Sequence, residues 1–170
     1  RWSSYRRSEA VNPNREVRIS GPGGVEDPEP LGNTRPTKRR EMSPRKRIDP
    51  GWKWDDNFSI SQAIQVGDTV YVSGQVAMDS DGNVVGPGDM KAQTRQALEN
   101  VKALLEAAGA SMEDVVKITV YLTDMSRLRE THEVRTVFFP DPPPASTAIG
   151  VTALAFPGLL VEIEAVAVKS

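Results

Sequence analysis

The segment "LLVEIEAVAV", residues 159–168, constrains the fold of this chain more than any other. It reads as a buried β-strand, yet Glu162 and Glu164 stand in its middle. Residues two apart lie on the same face of a strand. Both carboxylates therefore leave the sheet on one side, and Val161, Ile163, Ala165 and Ala167 take the other. The acidic face is either solvated or lines a cleft that uses a charge.

The segments before it alternate in type. "FSISQAIQVGDTVYVSGQV" (58–76) predicts two strands around a turn at Gly67-Asp68. In the second, Val70, Val72 and Val76 alternate with Tyr71, Ser73 and Gln75. "MDSDGNVVGPGD" (78–89) is a turn-rich loop with a hairpin-type signal at Asp81-Gly82. "DMKAQTRQALENVKALLEAAG" (89–109) predicts a helix with Ala97, Leu98, Val101, Leu104, Leu105 and Ala108 inward. Asp89 caps its start and Gly109 its end. "SMEDVVKITVYLTD" (111–124) predicts a capped turn, then a strand with Val116, Ile118, Val120 and Leu122 on one face. "SRLRETHEVRTVFF" (126–139) predicts a second helix, apolar at Leu128, Val134, Val137 and Phe138 and stopped by "PDPPP". "STAIGVTAL" (146–154) is a strand, joined to the last one by a turn at Phe156-Pro157-Gly158.

The order β-β-α-β-α-β-β predicts an α+β fold in which two helices cover one face of a mixed β-sheet. The other face still carries Val, Ile and Ala. It needs a partner, which points to a homo-oligomer whose sheets pack together.

Residues 1–50 read differently. They hold 12 Lys and Arg against 7 Asp and Glu, while residues 51–170 hold 9 against 16. A net charge of −2 thus hides a basic arm on an acidic body. The arm is rich in Pro and Gly, lacks a helical or strand period, and is expected to be disordered or loosely held. Its "KRREMSPRKR" run leaves a nucleic-acid arm open beside a solvated leader. The chain starts at Arg1, and Met42 stands just before the patterned part. Residues 1–41 are therefore expected to lie outside the functional protein. Trp52 and Trp54 are expected to dock the leader onto the body, which is taken to run from 51 to 170.

Cysteine is absent and His132 is the sole histidine. Disulfides, thiolate nucleophiles and a zinc site of several histidines are excluded. No run approaches the ~18 apolar residues of a membrane span, and a cytoplasmic location is the expectation.

Four separated blocks resemble the Rid (reactive intermediate deaminase, YjgF-like) family: "SQAIQVGDTVYVSGQVAMDSDGNVVG", "AQTRQALENVKALLEAAGASMEDVVKITVYLTDM", "PPAS" and "VEIEAVAV". The resemblance implies a chorismate-mutase-like fold and a homotrimer with clefts between subunits. It also implies hydrolysis of enamines or imines to a carbonyl product and ammonia, with no metal or organic cofactor. Glu162 matches the family's cleft glutamate, the expected catalytic residue. Ala145, Ser73, Gly74 and Tyr121 are expected to line the cleft, Gly74 by letting backbone approach a ligand.

Three positions depart from the pattern. Deaminating members carry arginine after "PPA" or "FPA", and its fork binds a substrate carboxylate. Ser146 stands there, followed by Thr147. Ile60 replaces a frequent aromatic residue before "SQA". His132 replaces a cleft-facing asparagine, and can act as acid or base near neutrality. A pocket of Ser146, Thr147, His132 and Glu162 suits a small-molecule ligand without a carboxylate. A hydrolase of such imines is the first expectation, and a metabolite-binding protein without turnover the second. An RNA-linked role comes third, because the acidic body disfavours phosphate.

Overall fold

The computed structural model describes residues 44–52 and 59–170. The leader up to residue 43 and Trp54 lie outside the described residues. Among the described residues six strands are formed: β1 (Arg45–Ile48), β2 (Ala63–Val66), β3 (Thr69–Val76), β4 (Val115–Leu122), β5 (Ala145–Gly150) and β6 (Val161–Val168). Helix α1 (Met90–Ala107) lies between β3 and β4, and α2 (Leu128–Phe138) between β4 and β5.

The strands form one mixed sheet in the order β1-β2-β3-β6-β4-β5. Only β4 and β5 are parallel neighbours, because α2 carries the chain back across the sheet between them. β3 and β4 are likewise joined through α1, and β6 enters the gap between them, antiparallel to both. The last strand is therefore the centre of the sheet.

The alternation in β6 holds. Val161, Ile163, Ala165 and Ala167 are buried, while Glu162, Glu164 and Val166 are half-buried on the opposite face. α1 packs on β3 and β6 and against α2. Asp89 caps it by accepting from the Ala92 N–H at 3.0 Å, and Gly109 follows its end at φ +71°. Leu98, Val101, Leu104 and Leu105 are all fully buried. Each contributes about 1.5–3 kcal/mol, whereas a helix of this length alone is marginal in water. Packing, not propensity, holds α1 in place. Two polar side chains of α1 secure the loops around it. Gln93 donates to the Gly86 and Gly158 carbonyls and accepts from Leu160 N–H. Asn100 donates to the Val76 and Met78 carbonyls.

The structure corrects the sequence reading in four places. Arg45–Ile48 is a strand paired with β2, so the sheet begins inside the stretch read as leader. An edge strand tolerates charge because its ladder needs only backbone, and Ile48 alone has to be apolar; it is buried. Val116 is 49% exposed, because pairing with β6 shifts between Val115 and Lys117, and Val115 takes the inner place. Val137 is 72% exposed. It stands about a quarter turn off the stripe of Thr131, Val134 and Phe138. Thr131 is buried there, its hydroxyl donating to the Leu128 carbonyl. Finally, the strand read as 146–154 ends at Gly150.

Both helices lie on one side of the sheet. The other side leaves Tyr71, Ile149 and Val168 at least 40% exposed. Trp52 packs against the main core. No helix among the described residues is long and apolar enough to cross a membrane.

Candidate active site

The open face of the sheet is organised in rows by strand register. Glu162 on β6 stands beside Tyr121 on β4, which in turn faces Ile149 on β5. Glu164 stands beside Thr119, which faces Thr147. Val166 lies between Tyr71 and Lys117, and Lys117 faces Ala145. The Lys117 ammonium donates to the Thr147 hydroxyl at 2.7 Å and to the Ile118 carbonyl at 3.1 Å.

The bulge in β3 shapes this face near Glu162. Val72 pairs with Ala165 and Gln75 with Ile163, so β3 holds one extra residue across Ser73 and Gly74. The Glu162 side chain lies over Gly74, and a Cβ at position 74 would overlap its carboxyl. Gly74 is required here by close approach of a side chain, not by a left-handed backbone. The bulge is fixed from behind. Ser73 donates from its N–H to the Gln62 carbonyl at 2.9 Å and from its hydroxyl to the Ser61 carbonyl at 2.7 Å. Gln75 donates to the Gln62 side-chain oxygen at 2.9 Å, and both glutamines are buried. Ser73 thus holds the bulge first, with its remaining lone pairs free to accept.

Burial pushes the Glu162 carboxyl above the usual carboxylate range, and the neighbouring Glu164 adds to the effect. Burial also raises Tyr121, with smaller contributions from Glu164 and Glu162. A carboxyl shifted toward neutrality exchanges protons more readily with a reacting group than an ordinary one does.

The single chain gathers only part of the residues expected at the site. Glu162, Gly74, Ser73, Tyr121, Thr147 and Ala145 share the open face. Ser146 does not: it is in register with Ile118, whose side chain points into the helix-covered core. His132 is exposed on α2 and lines a groove on the helix side with Arg135 and Phe139. Ile60 is 50% exposed ahead of β2. The cavity on the open face, about 320 Å³, is lined by Glu164, Lys117, Thr119, Tyr71 and Ser73, but not by Glu162. Two larger depressions, about 540 and 630 Å³, open beside the end of α2 and the proline loop. They hold none of the residues placed beside Glu162 except Ala145.

Sequence reasoning missed Lys117, Thr119 and the buried pair of Gln62 and Gln75. The period-2 pattern of "VVKITVYL" already set Lys117 and Thr119 on the face of Tyr121. No local pattern marks a glutamine pair joined across thirteen residues.

Comparison with known proteins assigns the fold to a family. The family described as "Endoribonuclease L-PSP" matches residues 57–169. A RutC family protein of Pyrococcus horikoshii is 46% identical over 109 residues, 64% of this chain and 86% of the relative. The 2-iminobutanoate/2-iminopropanoate deaminase of Mus musculus is 42% identical over 109 residues, 64% of this chain and 80% of the relative. The crystal structure of RidA from an Antarctic Psychrobacter superposes with a TM-score of 0.61 at 43% identity, covering 65% of this chain and 89% of RidA. The match runs through every element from β2 to β6, and the chain belongs to the Rid, or YjgF-like, family.

Proposed function

We propose that this chain hydrolyses an imine or enamine to a carbonyl product and ammonia, with Glu162 as the catalytic residue. One observation carries the reading: a half-buried carboxyl, raised by burial, is held over a glycine bulge on the open face. The relatives named as imine deaminases support the reaction class. Water adds to the electrophilic carbon while Glu162 accepts its proton. The same carboxyl returns that proton to nitrogen, giving a carbinolamine. It then takes the hydroxyl proton and passes it to nitrogen, so that the C–N bond breaks as the carbonyl forms and ammonia leaves. The step neither oxidises nor reduces the substrate.

The working unit is a homotrimer whose open faces meet. The exposed Tyr71, Ile149 and Val168 supply the apolar contact, and the clefts form between subunits. In each cleft Thr147, Tyr121, Ser73 and the Gly74 backbone surround the reacting atoms. The substrate is an imine without a carboxylate beside its reacting carbon, because none of the residues placed around Glu162 is an arginine that could supply a cationic fork.

The test measures ammonia release and decay of freshly generated imines, with and without a carboxylate. Glu162→Gln is expected to lower turnover by about 10²–10⁴-fold while leaving the oligomer intact by light scattering. Wild-type turnover is expected to fall as pH drops through the raised Glu162 pKa, since protonation removes the base. Absence of any acceleration sinks the hydrolase and favours a metabolite-binding protein. Acceleration of the carboxylate-bearing imines alone sinks the substrate assignment.

A further inference from the structure

A groove of about 230 Å³ runs along the end of α2 and the loop after it, lined by His132, Arg135, Thr136, Phe139, Asp141 and Pro143. Three other cations of this region are ion-paired. Lys91 meets Glu133 at 2.7 Å, Arg127 meets Glu130 at 2.7 Å, and Arg129 meets Glu133 at 3.3 Å. Arg135 is different. Its Nε is buried and has no hydrogen-bond partner, and it forms no ion pair among the described residues. Burial also pushes its pKa down, with nothing opposing the shift. The group still remains a cation at any physiological pH.

A buried N–H left without an acceptor costs free energy, even where the rest of the guanidinium reaches the surface. Its place in the last turn of α2 accounts for a positive charge near the helix C-terminus. It does not account for a buried donor aimed at nothing. The Arg135 side chain borders the groove. Phe139 and Pro143 make an apolar wall, His132 offers a ring N–H, and Asp141 sets a negative charge at the rim. An Arg fork matches a planar carboxylate in two parallel hydrogen bonds. The apolar wall favours a ligand with a carbon tail over a bare ion. Asp141 disfavours a second negative charge.

We propose that the α2 groove binds a short-chain monocarboxylate, held by the Arg135 guanidinium with His132 as a second donor. The groove lies on the helix side of the sheet and its occupancy asks nothing of Glu162. It assigns His132 to this groove instead of the Glu162 cleft, and it stands whether or not the chain hydrolyses imines.

The test follows the Arg135 Nε–H resonance in the ¹⁵N-labelled full chain, assigned by its loss in Arg135→Lys. Sodium butanoate, titrated at constant ionic strength, is expected to shift that resonance saturably, with a Kd of about 1–10 mM. The other arginine Nε–H resonances are expected to stay in place. Arg135→Gln and Arg135→Lys are each expected to weaken butanoate binding at least about tenfold by ligand-observed NMR, since lysine keeps the charge but loses the fork. His132→Ala is expected to weaken it less. A resonance that butanoate does not shift saturably overturns the proposal. Phosphate binding as tightly as butanoate overturns the assigned ligand class. A resonance that moves with protein concentration in the absence of butanoate overturns it too, because a second copy of the chain would then be supplying the carboxylate.

Discussion

The two faces of β6 are built from the same eight residues and behave as different materials. On one face, Val161, Ile163, Ala165 and Ala167 are at most 2% exposed beneath α1. On the other, Glu162, Glu164 and Val166 are half-buried, and Tyr71 and Val168 on the same face are about half exposed. The covered face is complete within one chain: its side chains find their partners in α1 and the neighbouring strands. The open face is incomplete, holding carboxylates, a lysine and aromatic surface together without a cover. A core tolerates no charge and carries stability. Under the proposed function, the open face with its raised carboxyl carries the chemistry and gives up some stability to do so.

Breaking the covered face should have the largest effect. Ile163→Asp places an unpaired carboxylate where no atom is exposed, at a cost of more than about 5 kcal/mol. That is enough to unfold an ordinary domain. Far-ultraviolet circular dichroism and a urea titration are expected to show no cooperative transition. A folded variant would mean that this face is not sealed by α1.

A methyl group on the other face should separate chemistry from stability. Gly74→Ala forces the Glu162 carboxyl off the bulge. A carboxyl at the end of a flexible side chain moves easily, and alanine also restricts the unfolded chain. Stability is therefore expected to change by less than about 1 kcal/mol. Turnover, which depends on carboxyl placement, is expected to fall by roughly 10–100-fold. Equal turnover in the variant and the wild type would separate the bulge from the reaction.

The smallest effect sharpens the comparison through pH. The folded-state pKa of Glu162 lies above its unfolded value, with burial the first cause and Glu164 the second. Its contribution to stability is fully present below the unfolded pKa and is lost as pH rises through the folded one. At neutral pH the ionised carboxylate is a small liability. Glu162→Gln is expected to stabilise the fold there by at most about 0.5 kcal/mol, since the group is partly solvated. Thermal melts are expected to show the gain shrinking as pH falls toward about 4. A gain that persists or grows in acid would contradict the assigned direction of the shift.

The two edges of the sheet add a second contrast. β5 was legible as a strand from "STAIGV", although its end was read four residues too far. β1 was not, because "RKRI" has a single apolar residue and sits in a charged run. An edge strand is held by backbone hydrogen bonds on one side, so it leaves little mark on side-chain pattern. The same blindness applied to Val116, where a shift in pairing with β6 turned the residue outward. Alternation predicts faces only while the register runs unbroken.

By itself, the sequence determined the α+β order from β2 to β6, the inward stripe of α1, its two caps, and the two-sided character of β6. Each follows from a local period of 3.6 or 2.0 residues and from chemistry within one turn. Only the tertiary structure decided that β6 is the central strand. Only it laid the Glu162 carboxyl over Gly74, set Ser146 on the other side of the sheet, and left the Arg135 Nε buried without a hydrogen-bond partner. Those facts depend on which distant segments lie side by side. Pairing across the sheet, loop clamps such as Gln93 and a bulge in β3 are settled by the free energy of the whole fold. No window of neighbouring residues contains that information.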